Sequence, residues 1–302
     1  MKLGQNRHII SFLIITAVVF TGLFTGCGTG SENAAESAEA VQTTAQTETN
    51  AASEEGEFSF KILNTGKSDC TVFVSGSTAI LLDTADADDY NHIKEVLDSQ
   101  GVQYIKAMIL SHYDKDHIGS AALLLQNYTV GEVYGPDHTE ESNAYNEMYK
   151  ALTKQNVPFT KLGAKETVEL TLGEGSFLLS APEEPPYDDD NDYTVIVTVS
   201  CDGENCLFLG DALKTRMKEF MDENLGAYML VKTPHHGDYY KVLGQFIEET
   251  TIGYAVICAE ENGDTVEEKL LGALEDAGAE TLLTYNGDIS GSFSPLVLSQ
   301  TP

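Results

Sequence analysis

Apolar residues recur along the chain in two alternating patterns. From residue 58 onward, short apolar runs separated by glycine alternate with segments in which apolar residues are three or four positions apart. The first pattern is typical of β-strands and the second of α-helices. The predicted strands are 58–63, 70–74, 79–82, 105–110, 130–134, 168–172, 177–180, 193–200, 206–209, 228–232, 254–258 and 281–284. The predicted helices lie at 93–97, 121–125, 145–152, 213–221, 242–248 and 266–277.

Strand-rich and helix-rich stretches recur in both halves of this region. This recurrence predicts an α/β domain in which two sheets pack face to face with the helices outside. A chain of 302 residues with 42% hydrophobic residues can bury one large core. We therefore expect a single folded domain over residues 58–302.

The N-terminus has the pattern of a secretory signal. Lys2 and Arg7 precede an apolar run at 9–24, which ends in small residues and Cys27. A Cys after Gly at this position resembles a bacterial lipobox, so we expect residues 1–27 to be a lipoprotein-type signal peptide with lipidation at Cys27. The protein would then lie at the extracellular face of the cell membrane. An uncleaved membrane anchor and plain secretion are the alternatives.

A polar segment separates this signal from the domain. Residues 28–57 are rich in Ala, Ser, Thr, Glu and Gln, and such a segment cannot bury enough apolar surface to fold. We expect it to be a disordered acidic tether. Its seven Glu do not account for the net charge of −31, so the domain itself is acidic. An acidic surface disfavours nucleic acid as a partner.

Three predicted strands are followed by side chains that can bind metal ions. The strand at 105–110 precedes the run S-H-Y-D-K-D-H, the strand at 206–209 precedes Gly-Asp, and the strand at 228–232 precedes T-P-H-H-G. The candidate ligands are His112, Asp114, Asp116, His117, Asp211, His235 and His236. Imidazole and carboxylate groups together suit divalent cations. One such run would be explained as a helix cap, but three in one chain predict a metal site.

These runs resemble motifs of the metallo-β-lactamase superfamily. The run at 111–117 is similar to its H-x-[HD]-x-D-H signature, and the Gly-Asp and His-His-Gly runs are similar to its later metal motifs. Segments 64–70 and 80–84 resemble the opening turn and strand of one branch, the hydrolase domain of ComEC-type competence proteins. The resemblance covers roughly residues 58–295 and implies an αββα sandwich of two mixed sheets.

The resemblance implies a centre for two divalent metal ions, Zn²⁺ or Mn²⁺. The implied ligands are His112 and Asp114 for one ion, Asp116, His117 and either His235 or His236 for the other, and Asp211 as a bridge. Asp83 would orient the His-Asp loop, and Asp116 would be catalytic by orienting the nucleophile. A helix cap is the alternative role for Asp116. Many zinc members have one more His before the Gly-Asp strand; only His138 lies in that interval, and we expect it at the surface.

The resemblance implies a metal-dependent hydrolase, here extracellular and membrane-anchored. We expect it to cleave phosphoester bonds through a metal-bound hydroxide, with a small-molecule or cell-envelope substrate. One alternative is a single-stranded DNA nuclease like the competence branch, which the acidic surface disfavours. A metal-binding lipoprotein without catalysis is another. Lactamase or thioesterase activity also stays open, because one metal pair cleaves many ester-like bonds.

Two cysteines flank a predicted hairpin turn at Asp202-Gly203. Cys201 and Cys206 are a candidate disulfide, because disulfides persist outside the cell. Two buried free thiols are the alternative.

Overall fold

In the computed structural model, which describes residues 53–261 and 266–301, the apolar runs form two mixed β-sheets. The strands are β1 (Ser59–Ile62), β2 (Thr71–Ser75), β3 (Thr78–Leu82), β4 (Tyr104–Ile109), β5 (Val130–Pro136), β6 (Phe159–Leu162), β7 (Thr167–Leu172), β8 (Gly175–Ser180), β9 (Ile196–Cys201), β10 (Glu204–Phe208), β11 (Ala227–Lys232), β12 (Thr251–Ile257), β13 (Glu280–Leu283), β14 (Asp288–Ser292) and β15 (Val297–Thr301). One sheet has the order β15-β14-β1-β2-β3-β4-β5-β6, and the other has the order β13-β12-β11-β10-β9-β8-β7.

Helices cover the outer face of each sheet. They are α1 (Tyr90–Ser99), α2 (Lys115–Ile118), α3 (Ala121–Asn127), α4 (Asn143–Gln155), α5 (Lys214–Asn224), α6 (Lys241–Glu249) and α7 (Glu268–Asp276). Apolar residues of α1, α3 and α4 pack on the first sheet, and those of α5, α6 and α7 pack on the second. A third cluster joins the inner faces of the two sheets. The predicted sandwich of two mixed sheets with helices outside is confirmed.

Alternate side chains of β2 belong to two different apolar clusters, one between the sheets and one under the helices. Phe73 points to the second sheet, where its ring lies 5.0 Å from Phe177 and 5.5 Å from Phe208. Its neighbours Val72 and Val74 belong to the cluster under the helices. Successive strand residues face opposite sides, so both faces of this strand are apolar. Burial of each large apolar side chain contributes about 1.5–3 kcal/mol.

The parallel strands of both sheets bring the polar loops together. β3, β4 and β5 run parallel in the first sheet, and β10, β11 and β12 run parallel in the second. The carboxyl ends of parallel strands lie at one edge of a sheet, where α/β proteins bind ligands. The loops after β3, β4, β10 and β11 carry the predicted site residues, and their side chains meet.

Several element boundaries differ from the prediction. The strand expected at 193–200 begins only at Ile196, because the preceding residues Asp190–Tyr193 form a 3₁₀ turn. The strand Phe159–Leu162 was not predicted, since its central residues are Thr and Lys and only Leu162 is buried. The strand Asp288–Ser292 was not predicted from the periodicity either, because it contains Ser and Gly, which have low strand propensity. The His-Asp run opens a separate short helix, Lys115–Ile118, before Ala121–Asn127 begins.

The beginning of the domain lies upstream of the predicted boundary. The Ser77 backbone N–H donates to the Ser53 carbonyl at 2.8 Å, and Lys106 pairs with Glu54 at 2.8 Å. The end of the predicted tether therefore contacts the sheet. The predicted signal peptide, Cys27 and the rest of the tether lie outside the described residues. Among the described residues, no helix is long and apolar enough to cross a membrane.

The predicted disulfide is wrong, because Cys201 and Cys206 both carry free thiols. In the hairpin, Cys201 lies opposite Glu204 and Cys206 lies opposite Val199. The two cysteines are therefore diagonal neighbours and not a facing pair. Both side chains are buried in the core between the sheets, as the alternative required.

Candidate metal centre

Asp83, directly after β3, holds the loop that carries the His-Asp run. Its carboxylate accepts hydrogen bonds from the Ser111 backbone N–H at 2.7 Å and from the Ser111 hydroxyl at 2.8 Å. The same carboxylate lies 2.9 Å from His117 Nδ1. A proton on Nδ1 leaves the Nε2 lone pair of His117 free on the opposite side of the ring. Asp83, predicted to orient this loop, thus contacts both of its ends.

His112, His117 and Asp211 form one group of potential ligands. Their ligand atoms all lie within 4.8 Å of one another, and the two imidazole rings are 4.1 Å apart. Asp211 Oδ2 is 3.3 Å from His117 Nε2. This approach depends on Gly210, which has a φ of +50° and whose added Cβ would lie 2.9 Å from the Ser111 Cβ. A larger residue at 210 would push the loops apart.

Asp116, His117 and His236 form a second group that overlaps the first. His236 Nε2 lies 3.4 Å from Asp116 Oδ2 and 3.1 Å from Asp211 Oδ2. The ligand atoms of Asp116, His117 and His236 again lie within 4.8 Å of one another. Asp211 therefore lies close to imidazoles of both groups, as the predicted bridging role requires.

The structure separates the two adjacent histidines after β11. His235 and His236 both have left-handed backbone angles, with φ of 48° and 53°, which is a costly conformation for residues other than glycine. This turn buries the His236 side chain, which is 1% exposed, among the carboxylates. His235 points instead to Asp238, with Nδ1 2.7 Å from Oδ2. Only His236 of the pair joins the potential ligand groups among the described residues.

Asp114 lies farthest from the centre among the predicted ligands of the first ion. Its carboxylate is 3.7 Å from His112 Nε2, and the side chain is 47% exposed. The nearby His112 imidazole lowers the pKa of Asp114 against the opposing effect of burial. Asp114 faces the cleft over the centre, as do Asp116, Asp211 and His236.

Two buried residues at the centre were not predicted as site residues. Asp69, just before β2, forms a buried ion pair with Lys232, the last residue of β11. Lys232 Nζ also donates to the Gly210 carbonyl at 3.2 Å and lies 4.0 Å from Asp211 Oδ1. Asp69 was part of a segment that resembles the competence branch, but no signal in that segment indicated a role.

His138 is only partly at the surface, against expectation. Its ring stacks on Tyr193 at 4.0 Å, and its Nε2 lies 3.3 Å from Asp190. The side chain is 22% exposed. His138 shares no described ligand group with His112 or His117, so it does not supply the additional imidazole that many zinc members have.

Several buried polar atoms at the centre form no hydrogen bond with any described residue. They are His112 Nε2, His117 Nε2, His236 Nε2 and Asp211 Oδ1. Burial of such atoms without a partner costs free energy, and nearly all native proteins avoid it. Divalent cations bound to the two groups would use the lone pairs of these atoms. The residues present therefore fit the metal ions that the sequence motifs imply.

The electrostatics of the ligand groups favour bound cations. Burial alone would lower the pKa of His236, but the carboxylates of Asp211 and Asp116 raise it to about 9. Burial also opposes the raised pKa of His117, which Asp211 and Asp83 produce. The carboxylates thus stabilise a positive charge at these histidines, and a bound metal ion would supply that charge in place of a proton.

A cleft of about 520 Å³ opens over the centre. Beside the ligand groups, its acidic lining residues are Asp86, Asp88, Asp89 and Glu260, and its lysines are Lys67 and Lys115. Lys115 pairs with Asp86 at 2.9 Å, which leaves few positive charges for a substrate. The cleft is large enough for a small molecule.

Comparison with known proteins identifies the class to which this fold and centre belong. A family model described as "Metallo-beta-lactamase superfamily" matches residues 63–260. The chain belongs to the metallo-beta-lactamase superfamily. ComE operon protein 3 of Bacillus subtilis (strain 168) is 25% identical over 168 residues, which are 55% of this chain. The matched region is 21% of that relative, so the chain spans about a fifth of its length.

Solved structures show the same fold. The metallo-beta-lactamase fold protein YhfI from Bacillus subtilis has a TM-score of 0.52 at 17% identity, over 75% of this chain and 96% of that chain. Yeast PDE1 has a TM-score of 0.50 at 11% identity, over 76% of this chain and 97% of that chain. At these identities the likeness concerns the fold alone. The resemblance inferred from the motifs is confirmed.

Proposed function

We propose that this protein is a two-metal hydrolase that cleaves phosphoester bonds of a small-molecule or cell-envelope substrate. The observation that carries the proposal is the pair of overlapping ligand groups, which share His117 and both contact Asp211 beneath one cleft. Two divalent ions at such a centre activate water and stabilise the charge that develops on a transferred phosphoryl group. The carboxylate-rich ligands accept Zn²⁺ or Mn²⁺.

The ligand assignment is the one that the motifs imply, and Asp114 is its only member that lies in neither of the two described groups. His112 and Asp114 would hold one ion and Asp211 would bridge to the other. Asp116, His117 and His236 would complete the second site. The burial of His236 and the pairing of His235 with Asp238 favour His236 as the ligand.

Asp116 would also act on the attacking water. Its side chain is 25% exposed and lines the cleft, so one oxygen can accept a hydrogen bond from water there. His236 beside it lowers the pKa of Asp116, against the effect of burial, and keeps the carboxylate ionised at neutral pH. An ionised, fixed carboxylate is suited to orient a nucleophile or take its proton.

The charge of the cleft argues against the second candidate, a single-stranded DNA nuclease. The relative named ComE operon protein 3 is the reason to consider it. Polyanion binding needs a basic track, but Asp88, Asp89 and Glu260 line this cleft with only Lys67 free of a described carboxylate partner. A small phosphodiester carries a single negative charge, so the acidic residues of this cleft repel it less than they repel a DNA strand. A metal-binding lipoprotein without catalysis is the third candidate.

The N-terminal pattern completes the proposal. A lipid on Cys27 would anchor the protein at the extracellular face of the membrane, with residues 28–57 as a tether. This placement suits a cell-envelope substrate or a small molecule outside the cell.

A hydrolysis panel tests the function. The full chain would be assayed with Mn²⁺ or Zn²⁺ on a chromogenic phosphodiester, single-stranded DNA, a lactone and a β-lactam. We expect turnover of the phosphodiester and none of the DNA. Asp211→Asn should abolish turnover, whereas Asp88→Asn, in the same cleft but outside the ligand groups, should retain it. DNA turnover would favour the nuclease, and tight metal binding without any turnover would favour the third candidate.

A further inference from the structure

We infer that Asp69 and Lys232 form a pair that positions His236, and through it one metal ion of the centre. This inference rests on the proposed two-metal function. Neither residue belongs to the ligand assignment above. Each lies beside it, Asp69 before β2 and Lys232 at the end of β11.

The two oxygens of Asp69 have different surroundings. Oδ2 accepts a hydrogen bond from Lys232 Nζ. Oδ1 faces His236 Nδ1 at 3.7 Å, and neither of these two buried atoms has a hydrogen-bond partner among the described residues. A histidine that binds a metal ion through Nε2 carries its proton on Nδ1. A small shift of the ring toward Asp69 would therefore pair the two atoms.

The arrangement repeats one already present at the other buried ligand histidine. His117 Nδ1 lies 2.9 Å from Asp83, whose carboxylate is held by Ser111. His236 would have Asp69 in the same role, with Lys232 in place of Ser111. A carboxylate behind a ligand imidazole fixes the ring orientation and makes it a stronger metal ligand.

Lys232 does more than neutralise Asp69. Its side chain is 3% exposed, and burial of an ammonium group is unfavourable unless the group is well paired. It also bonds the Gly210 carbonyl at 3.2 Å and lies 4.0 Å from Asp211 Oδ1. The ammonium thus holds the loop of the bridging carboxylate against Asp69. These three contacts join Lys232 to Asp69, to the Gly210 loop and to Asp211.

Metal affinity tests this inference separately from turnover. Zn²⁺ binding to the full chain would be measured by competition with a chromophoric chelator for the wild type, Asp69→Asn, Lys232→Met and the double variant. Lys106→Met is the matched control, because Lys106 forms a lysine–carboxylate pair with Glu54 that touches none of the ligands. The melting temperature of each metal-free protein reports the fold.

We expect Asp69→Asn to bind one of the two ions about 10–100-fold more weakly and the other ion with unchanged affinity. Lys232→Met should weaken the same ion by a similar factor. Lys106→Met should bind both ions like the wild type. The double variant leaves no unpaired buried charge, so it carries the test if a single variant fails to fold. It should stay at least about 10-fold weaker for the same ion, because a neutral Asn is a poorer acceptor for His236.

A second readout follows the His236 proton directly. In the Zn²⁺-loaded wild type, imidazole N–H resonances of His117 and His236 should be protected from exchange. Asp69→Asn should remove only the His236 signal, and Asp83→Asn should remove only that of His117.

Wild-type affinity for both ions in Asp69→Asn, or recovery of it in the double variant, would overturn the inference and leave the pair a purely structural role. A wild type that binds fewer than two ions would overturn both this inference and the proposed function. Two bound ions with the expected shifts but no hydrolysis would refute the function alone.

Discussion

Replacing Asp116 with Asn changes one oxygen of a side chain that faces both the cleft and His236. The sequence left open that Asp116 only caps a helix. In the structure the helix begins at Lys115 and its N-cap residue is Asp114, so Asp116 lies inside the first turn and caps nothing. Its carboxylate lies 3.4 Å from His236 Nε2, within the ligand group.

The expected loss is in turnover. If Asp116 holds a metal ion and orients the attacking water, Asp116→Asn should lower kcat by at least ~10²-fold, which is about 2.7 kcal/mol of barrier. Asn has the same shape as Asp, so the metal-free fold should lose less than about 1 kcal/mol. For a domain of this size, that corresponds to a fall of about 2–4 °C or less in Tm.

The assay compares kcat on a chromogenic phosphodiester and the Tm of the metal-free protein for the wild type and Asp116→Asn. Asp88→Asn is the matched control, because Asp88 is an exposed acid of the same cleft. Its kcat should stay within a few-fold of the wild type. Near wild-type turnover in Asp116→Asn would remove Asp116 from catalysis and, with it, most of the case for a two-metal hydrolase. A large fall in Tm with unchanged kcat would give it a structural role.

Three further predictions concern other parts of the molecule. Metal analysis after saturation with Mn²⁺ or Zn²⁺ should give more than one ion per chain; one ion at most would mean that the site of His112 and Asp114 does not assemble. His92, 2.9 Å from Asp288, has a pKa raised above 6.5 by that carboxylate against the effect of burial. Its contribution to the stability of the metal-free protein should therefore be full below about pH 6.5 and disappear as pH rises through the raised pKa, by under about 1 kcal/mol because the pair is partly exposed. Unfolding of His92→Gln should differ from the wild type at pH 5.5 and match it at pH 9; a difference independent of pH would contradict this. Cys27→Ser should release the protein from the membrane fraction, and a full-length variant that stays bound would indicate an anchor.

The periodicity of the chain predicted most of the fold because the strands are buried on both faces. β2 and β3 are buried at every residue, and such runs are visible in a single sequence. The strands β14 and β15, which the periodicity did not predict, contain Ser, Gly and Gln; alternate residues are only partly buried in β14 and exposed in β15. Their place in the sheet comes from backbone pairing, of β14 with β1 and of β15 with β14, and no local sequence pattern indicates such pairing.

The ligand groups were predictable for a related reason. Each ligand lies in the short segment that follows one of the strands β4, β10 and β11, so the order of strand and polar residue is local in the sequence. The choice between His235 and His236 was not predictable, since two adjacent left-handed residues decide which ring turns inward. Left-handed angles at histidine are rare enough that no sequence pattern indicates them.

The pairing of Asp69 with Lys232 could not be predicted from a single sequence. They are 163 positions apart, and each alone is an ordinary polar residue beside a strand. Their pairing arises only when β2 of the first sheet and β11 of the second meet across the sandwich, a contact set by the packing of whole sheets. A buried Lys is costly, so its persistence at the centre of the molecule requires a nearby carboxylate. In the structure, the buried Lys232 therefore points to Asp69 as its partner, and Asp69 in turn lies beside His236 Nδ1.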